Sequence, residues 1–160
     1  MSEPASLSER QVVELLSTAR QRLFAEVGKV IPNRLSHQRK VSRADYREGG
    51  RPNNDTLYSG GWFDVGTEPL ILTLPDFGDR YYNVQLCDFD ADNFDYIGTR
   101  THGGKGGTYA IIGPNWKGEL PPGVKAVKPA NTNWILVLMR VLVNRDDADV
   151  KMVNKLQDQV

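Results

Sequence analysis

The sequence predicts a mainly β domain, an antiparallel β-sandwich of jelly-roll-like character with one helix at the N-terminus and one at the C-terminus. Three observations carry this. Past Pro52 the chain breaks into short runs rich in β-branched and aromatic residues, each bounded by turn-formers. Strand–helix–strand alternation is missing, which argues against a parallel doubly wound sheet. Helical periodicity is confined to the two ends.

The N-terminal helix is expected within "LSERQVVELLSTARQRLFAEVGKVIP". Ser8 is a plausible N-cap with Gln11 three residues on, and Leu7 and Val12 are placed for a hydrophobic staple. Val12, Leu15, Leu16, Ala19, Leu23, Phe24 and Val27 form one apolar face, and Gly28 and Pro32 close the element. Residues 1–32 are therefore read as a helix packing on a β-sandwich domain of residues 33–160. Between Asn33 and Pro52 the chain is polar and aperiodic, with Arg34, Arg39, Lys40, Arg43, Arg47 and Arg51 against Asp45 and Glu48. It reads as an anion-binding arm or as a solvated loop whose charges face the acidic 76–95 stretch.

The strand runs are "TLYSGGWFDVG", "PLILTLPD", "RYYNVQLCDF", "TYAIIGP", "GVKAVKPA" and "NWILVLMRVLV". Turns are expected at 76–79, 103–104, 113–114 and 121–123. In the third run Tyr82, Val84 and Leu86 share one face, with Tyr81, Asn83, Gln85 and Cys87 on the other. "WILVLM", Trp134 to Met139, is apolar on both faces and is expected as a central strand covered on both sides. The last helix, roughly Asp146 to Gln159, opens with acidic residues suited to a helix N-terminus.

The totals bound the function. A chain of 160 residues suffices for a single core. Its 20 basic and 20 acidic side chains cancel, which removes the footprint of a dedicated nucleic-acid binder. No apolar run approaches a membrane span, and "MSEPASLSER" lacks signal-peptide character, so a cytoplasmic protein is expected. The single Cys87 rules out a disulfide within the chain.

The chemistry concentrates in two places. "CDFDADNFDYIGTR", Cys87 to Arg100, carries Asp88, Asp90, Asp92 and Asp95. Asp88, Asp90 and Asp92 imitate the start of a calcium loop, but Asn93 and Thr99 stand where an EF-hand needs glycine and glutamate. No metal is assigned; those three would be the ligands of a looser cation site, and the competing readings are pairing with Arg80, Arg100 or the basic arm, or a simply solvated loop. "GRPNNDTLYSGGW", Gly50 to Trp62, offers Asn54, Asp55 and Tyr58 to a polar ligand, or simply structures the entry into the first strand. "GTRTHGGKGG" fails as a phosphate loop because Gly106 follows Lys105 and a strand follows that; it reads as a mobile hairpin loop. Cys87 would need His37 or His102 as a base, so a half-buried strand cysteine is the preferred reading. Ser59 lacks the G-x-S-x-G elbow.

Laid end to end, "RPNNDTLYSGGWFDV", "LPDFGDRYYNVQLCD", "NFDYIGTR", "YAIIGPNWKGELPPGVK" and "LQDQ" resemble the domain-of-unknown-function 1254 family. The similarity runs from about Asn33 through Gln159, and "NRLSHQR" resembles the segment ahead of the family's R-P-N-N-D-T-x-Y run. The resemblance implies an all-β sandwich with accessory helices. It also implies a second β-domain, numbered 1214, after this one, so a stand-alone version or part of a longer protein is expected. The matching polar positions are Asn53, Asn54, Asp55, Thr56, Tyr58, Arg80, Tyr81, Tyr82, Gln85, Asp88, Thr99 and Arg100. Asp90, Asp92 and Asp95 read as embellishments of a loop.

Three functions follow. The first is a soluble module binding a polar small molecule or a protein partner through Asn54, Asp55, Tyr58, Gln85, Asp88 and Arg100, near Asn83. The second is a hydrolase using Asp55 or Asp88 as base and Arg100 as anion stabiliser. The third is a structural domain whose exposed strand face serves a homo-oligomer contact. No cofactor, nucleic acid or membrane is expected in any of them.

Overall fold

A computed structural model of the chain describes residues 31–42, 53–144 and 146–160. Two units divide the chain, Met1–Ile31 and Pro32–Val160, and the second is the one described here. The expected N-terminal helix lies outside the described residues, as do the basic side chains at 43, 47 and 51.

The unit is mainly β and holds two sheets. Strands β1 (Ser36–His37), β2 (Thr56–Asp64), β4 (Tyr82–Asp88), β5 (Asn93–Gly98) and β8 (Trp134–Leu142) form a five-stranded sheet in the order β1-β2-β8-β4-β5. Strands β3 (Leu70–Leu74), β6 (Gly107–Ile112) and β7 (Val124–Pro129) form the second sheet, in the order β3-β6-β7. Helix α1 is the single turn Thr99–His102, and α2 spans Asp147–Gln157. Among the described residues no helix is long and apolar enough to cross a membrane.

Strand β8 is central, as its apolar run predicts. It pairs antiparallel with β2 and with β4 along its length. Its two faces are not equally covered, however. Ile135, Val137, Met139 and Val141 are buried, while Leu136, Leu138 and Arg140 are only half-buried and Trp134 and Leu142 are exposed. The buried row meets Leu57, Val84, Leu86 and Ile97 of its own sheet, Leu72, Tyr109 and Ile111 of the second sheet, and Val153 of α2 in one core cluster. Period-2 alternation thus sends every second side chain of the large sheet inward and the rest to an outer face.

Not every expectation carries through. The sheets are not antiparallel throughout, because β6 and β7 run parallel; the 113–123 segment crosses back rather than turning as a hairpin. The pairings define two sheets but not a jelly-roll winding. The glycine-rich stretch is also no simple hairpin: it makes the turn of α1 and then packs on the loop at 75–78. A Cβ on Gly104 would lie 1.8 Å from the carbonyl oxygen of Gly78, so only glycine fits there. Phe77 N–H donates to Gly104 O (2.8 Å), and the Tyr82 hydroxyl donates to Gly103 O (3.1 Å).

The segment before β2, read as an aperiodic arm, begins as an edge strand. Asn33 N–H donates to Trp62 O and Gln38 N–H to Tyr58 O, both at 2.8 Å, on either side of the β1–β2 pairing. A Cβ on Gly61 would lie 2.2 Å from Arg34 O, which explains the glycine beneath this crossing. Arg39 does not face the acidic 76–95 stretch. Its guanidinium pairs with Asp158 (2.6 Å) and donates to Asn154 O (3.0 Å) at the end of α2.

Helix α2 is anchored at its start as well. Asp146 caps it by accepting from Asp149 N–H (2.8 Å). Asp149 then takes both guanidinium nitrogens of Arg80, and Arg80 also donates to Leu142 O (2.7 Å) at the end of β8. Arg80 thereby ties the entry of β4, the exit of β8 and the first turn of α2 together. The Arg80 hydrogen bonds hold the Asp149 carboxyl below the usual carboxylate range, against burial, with help from Asn144 N–H.

Met139→Ala should cost about 2–5 kcal/mol in denaturant unfolding, because the void lies mid-core between paired strands. A loss below 1 kcal/mol would mean that the core closes over it. Asp149 gives a signed acid limb: with its folded pKa depressed, its contribution is present above the ordinary carboxylate pKa and is lost as pH falls through the lowered one. Asp149→Asn should therefore be less stable than wild type near neutral pH, and the gap should shrink below about pH 4. A gap independent of pH would sink this assignment.

Candidate functional site

The outer face of the large sheet gathers polar and aromatic side chains in a fixed register. Tyr58 on β2 lies opposite Arg140 on β8, which lies opposite Asn83 on β4. The next rank is Gly60, Leu138, Gln85 and Tyr96, and the one after it begins Trp62, Leu136, Cys87. Arg140 reaches diagonally between ranks. Its Nη1 donates to Gln85 Oε1 (2.7 Å), and its guanidinium carbon stands 5.2 Å from the centre of the Tyr58 ring. Gln85 Nε2 donates in turn to Asn93 Oδ1, and Cys87 Sγ–H donates to the same oxygen (3.1 Å). Tyr58, Arg140, Gln85, Asn93 and Cys87 form one connected polar row across four strands.

Arg140 is the unusual member. Among the described residues the arginine and lysine ion pairs are Arg39–Asp158, Arg80–Asp149 and Lys128–Asp95; no carboxylate pairs with Arg140. Among the described residues its side-chain contacts are the π-face of Tyr58 and the amide oxygen of Gln85, worth about 0.5–1 and 1.5–3 kcal/mol as classes. The row is edged by aromatic surface. Trp62 meets Phe89 edge-on at 5.9 Å between ring centres, and Phe89, Tyr96 and Trp134 are 54%, 39% and 37% exposed.

The surroundings of Cys87 disfavour its thiolate. Burial pushes its thiol up; the Gln85 hydrogen bond and the Arg140 charge pull the other way more weakly, and Asp88 adds to the rise. It stays a thiol and acts as a donor to Asn93, in line with a strand cysteine.

The aspartate stretch is a braced turn. Asp88 is buried, and its Oδ1 accepts from the N–H groups of Asp90 and Asp92, both at 3.0 Å, while Oδ2 meets Asn131 Nδ2 at 3.4 Å. Asp88 N–H donates to Asp92 O (2.9 Å), and Ala91 sits at φ 69° to close the turn. The carboxylate of Asp88 is thus occupied by backbone. Among the described residues no group of three His, Cys, Asp or Glu side chains is placed to hold a metal. Asp95 is not on the loop but in β5, where it pairs with Lys128 of β7 (3.0 Å) and ties the edges of the two sheets.

The remaining candidates scatter. Asn54 and Asp55 are exposed at the turn before β2, where Asn53 Oδ1 accepts from Asp55 N–H (2.8 Å). Arg100 is exposed on α1, beyond the far end of β5. Asp88 and Arg100 sit at opposite ends of β5, roughly 15–20 Å apart by strand rise. Asp55 and Arg100 are separated by three strand spacings, about 14 Å. Neither aspartate is brought against Arg100. Thr99 and Arg80, shared with the family pattern, serve the fold, Thr99 Oγ1 by accepting from Tyr82 N–H (3.0 Å).

Two groups escaped sequence reading. Arg140 sits inside an otherwise apolar strand, and that break in pattern was the available signal. The second is a buried network on the inner face of β2. His37 Nδ1 and Ser59 Oγ are 2.8 Å apart, and Gln157 Nε2 donates to Ser59 Oγ (3.0 Å) and to Tyr58 O (3.1 Å). Their separation of 22 and 98 residues hides this grouping from any local motif. Burial, then the Arg39 charge, lowers the His37 pKa, partly countered by Asp158, so the ring is neutral near pH 7.

Against known proteins, the family described as "Protein of unknown function (DUF1254)" matches residues 32–160. No curated protein matches. Among solved structures the chain is similar to the VPA0106 protein from Vibrio parahaemolyticus, with 33% identity and a TM-score of 0.63. That similarity covers 67% of this chain and 27% of the other, so the chain spans well under half of that protein. The long run of shared motifs and the extent of the family match place the chain, plainly, in the DUF1254 family of proteins of unknown function.

Proposed function

We propose that this chain is a two-sheet sandwich module that binds a polar small molecule carrying a carboxylate or similar anion on the outer face of its large sheet, with Arg140 at the centre. The observation that carries the reading is the Arg140 guanidinium, half-buried, oriented by Gln85 and Tyr58 and paired with no carboxylate among the described residues. A guanidinium held this way loses little side-chain entropy on accepting a planar anion, and its fork matches two oxygens at once. Tyr58 and Gln85, both expected from sequence, orient it rather than act alone. The hydrolase reading finds no support in the separations of Asp55, Asp88 and Arg100. A second reading, a protein contact on the same face, is favoured by the exposed Phe89, Trp134 and Tyr96.

Thermal unfolding against succinate, citrate, benzoate, phosphate and neutral sugars tests this. One anion class should raise the midpoint of wild type, by a shift equivalent to about 2.7 kcal/mol at a hundredfold excess over Kd. Arg140→Met should fold and weaken that anion about 10- to 100-fold, the worth of a charged hydrogen bond. Gln85→Leu should weaken it less, by freeing the guanidinium without removing it. Equal responses from wild type and Arg140→Met, or no response to any anion, would overturn the reading.

A further inference from the structure

We propose a second binding site, on the inner side of the sheet edge at β1, that takes an amphipathic carboxylate with its charged end at Arg34 and His37 and its apolar body on Phe63, Leu70 and Leu72. A pocket of about 330 Å³ lies there, between the 33–37 segment, β2, the edge of β3 and the end of the chain. Its size falls in the range of small-molecule sites, and Phe63, Leu70 and Leu72 line it beside the polar Asn33, Arg34, His37 and Thr73.

The walls are built rather than incidental. The 33–37 segment is bonded along β2, and Asn33 Oδ1 accepts from Asp64 N–H (2.8 Å). Phe63 and Leu72 belong to the buried core, so the floor is rigid.

Hydrogen-bond economy fixes what His37 presents. Ser59 is fully buried, so its hydroxyl proton needs an acceptor. Gln157 Nε2 can only donate to it, and His37 Nδ1 is the acceptor within reach. Ser59 therefore donates to Nδ1, and the neutral ring carries its proton on Nε2. That nitrogen, which bonds no described residue, is a donor. Arg34, exposed at the same mouth, adds a cation that no described carboxylate pairs. One fixed N–H and one guanidinium beside an apolar floor select an anion with an apolar tail over a neutral or a fully polar compound.

Calorimetric titration of the full chain with octanoate, 1-octanol and acetate tests the site apart from Arg140. Octanoate should bind at least tenfold tighter than either control, and its binding should survive in Arg140→Met. Arg34→Met, an exposed change that leaves the fold intact, should reduce octanoate affinity at least fivefold while leaving 1-octanol unchanged. Chemical-shift changes on octanoate addition should include His37 and Leu72 and spare Tyr58 and Gln85. The proposal is overturned if octanoate does not bind, if Arg34→Met binds it as wild type does, or if Arg140→Met alone abolishes it; the last result would assign octanoate to the outer face.

Discussion

Strand β8 is the constraint on which the rest depends. It is hydrogen-bonded on both edges along its length, and four of its side chains occupy the centre of the core. Its register cannot slip by one residue without turning Ile135, Val137, Met139 and Val141 outward and Arg140 inward. An unpaired arginine inside that core would cost several kcal/mol, a large share of the usual margin of stability. Each neighbour inherits its facing from this strand. Leu57 and Ser59 on β2 face inward because they lie opposite Val141 and Met139, and Tyr58 faces outward because it lies opposite Arg140.

The two faces that result have opposite electrostatic character. Inside, polar groups are few and tightly shared: Gln157 Nε2 serves Ser59 Oγ, Tyr58 O and Gln38 O. Its own Oε1 is buried with no partner among the described residues, a cost of order 1–3 kcal/mol. Outside, the polar row is half-wet and linked by single hydrogen bonds, so its members can change partners at small cost. A ligand that replaced Gln85 or a water on Arg140 would disturb nothing that holds the sheet together.

Ion pairing follows the same division. Arg39 and Arg80 are spent on α2, one at each end, and Lys128 is spent on the join between the two sheets. The Arg80 and Lys128 pairs are partly buried and the Arg39 pair is exposed, but each links elements distant in the chain. Arg34 and Arg140 join no such pair among the described residues, and Arg34 lines a pocket.

What the sequence determined by itself was whatever is periodic or local. Alternation in Tyr82–Leu86, the apolar run of β8, the acidic start of α2 and the turn-formers around Asn53 were all legible, because strand facing and capping depend on neighbours within a few residues. Long ordered motifs made the family legible too. Tertiary structure alone decided the rest. Strand β5 was hidden because its aspartates and asparagine look like loop until Lys128 and Gln85 pair with them. The parallel β6–β7 pairing was hidden because strand direction is not written in composition. The bracing role of Asp88 was hidden as well, since only the folded turn brings two backbone N–H groups onto its carboxylate. Arg140 over Tyr58, and His37 against Ser59, are contacts between strands, and no spacing along one strand records which residue of another will lie opposite.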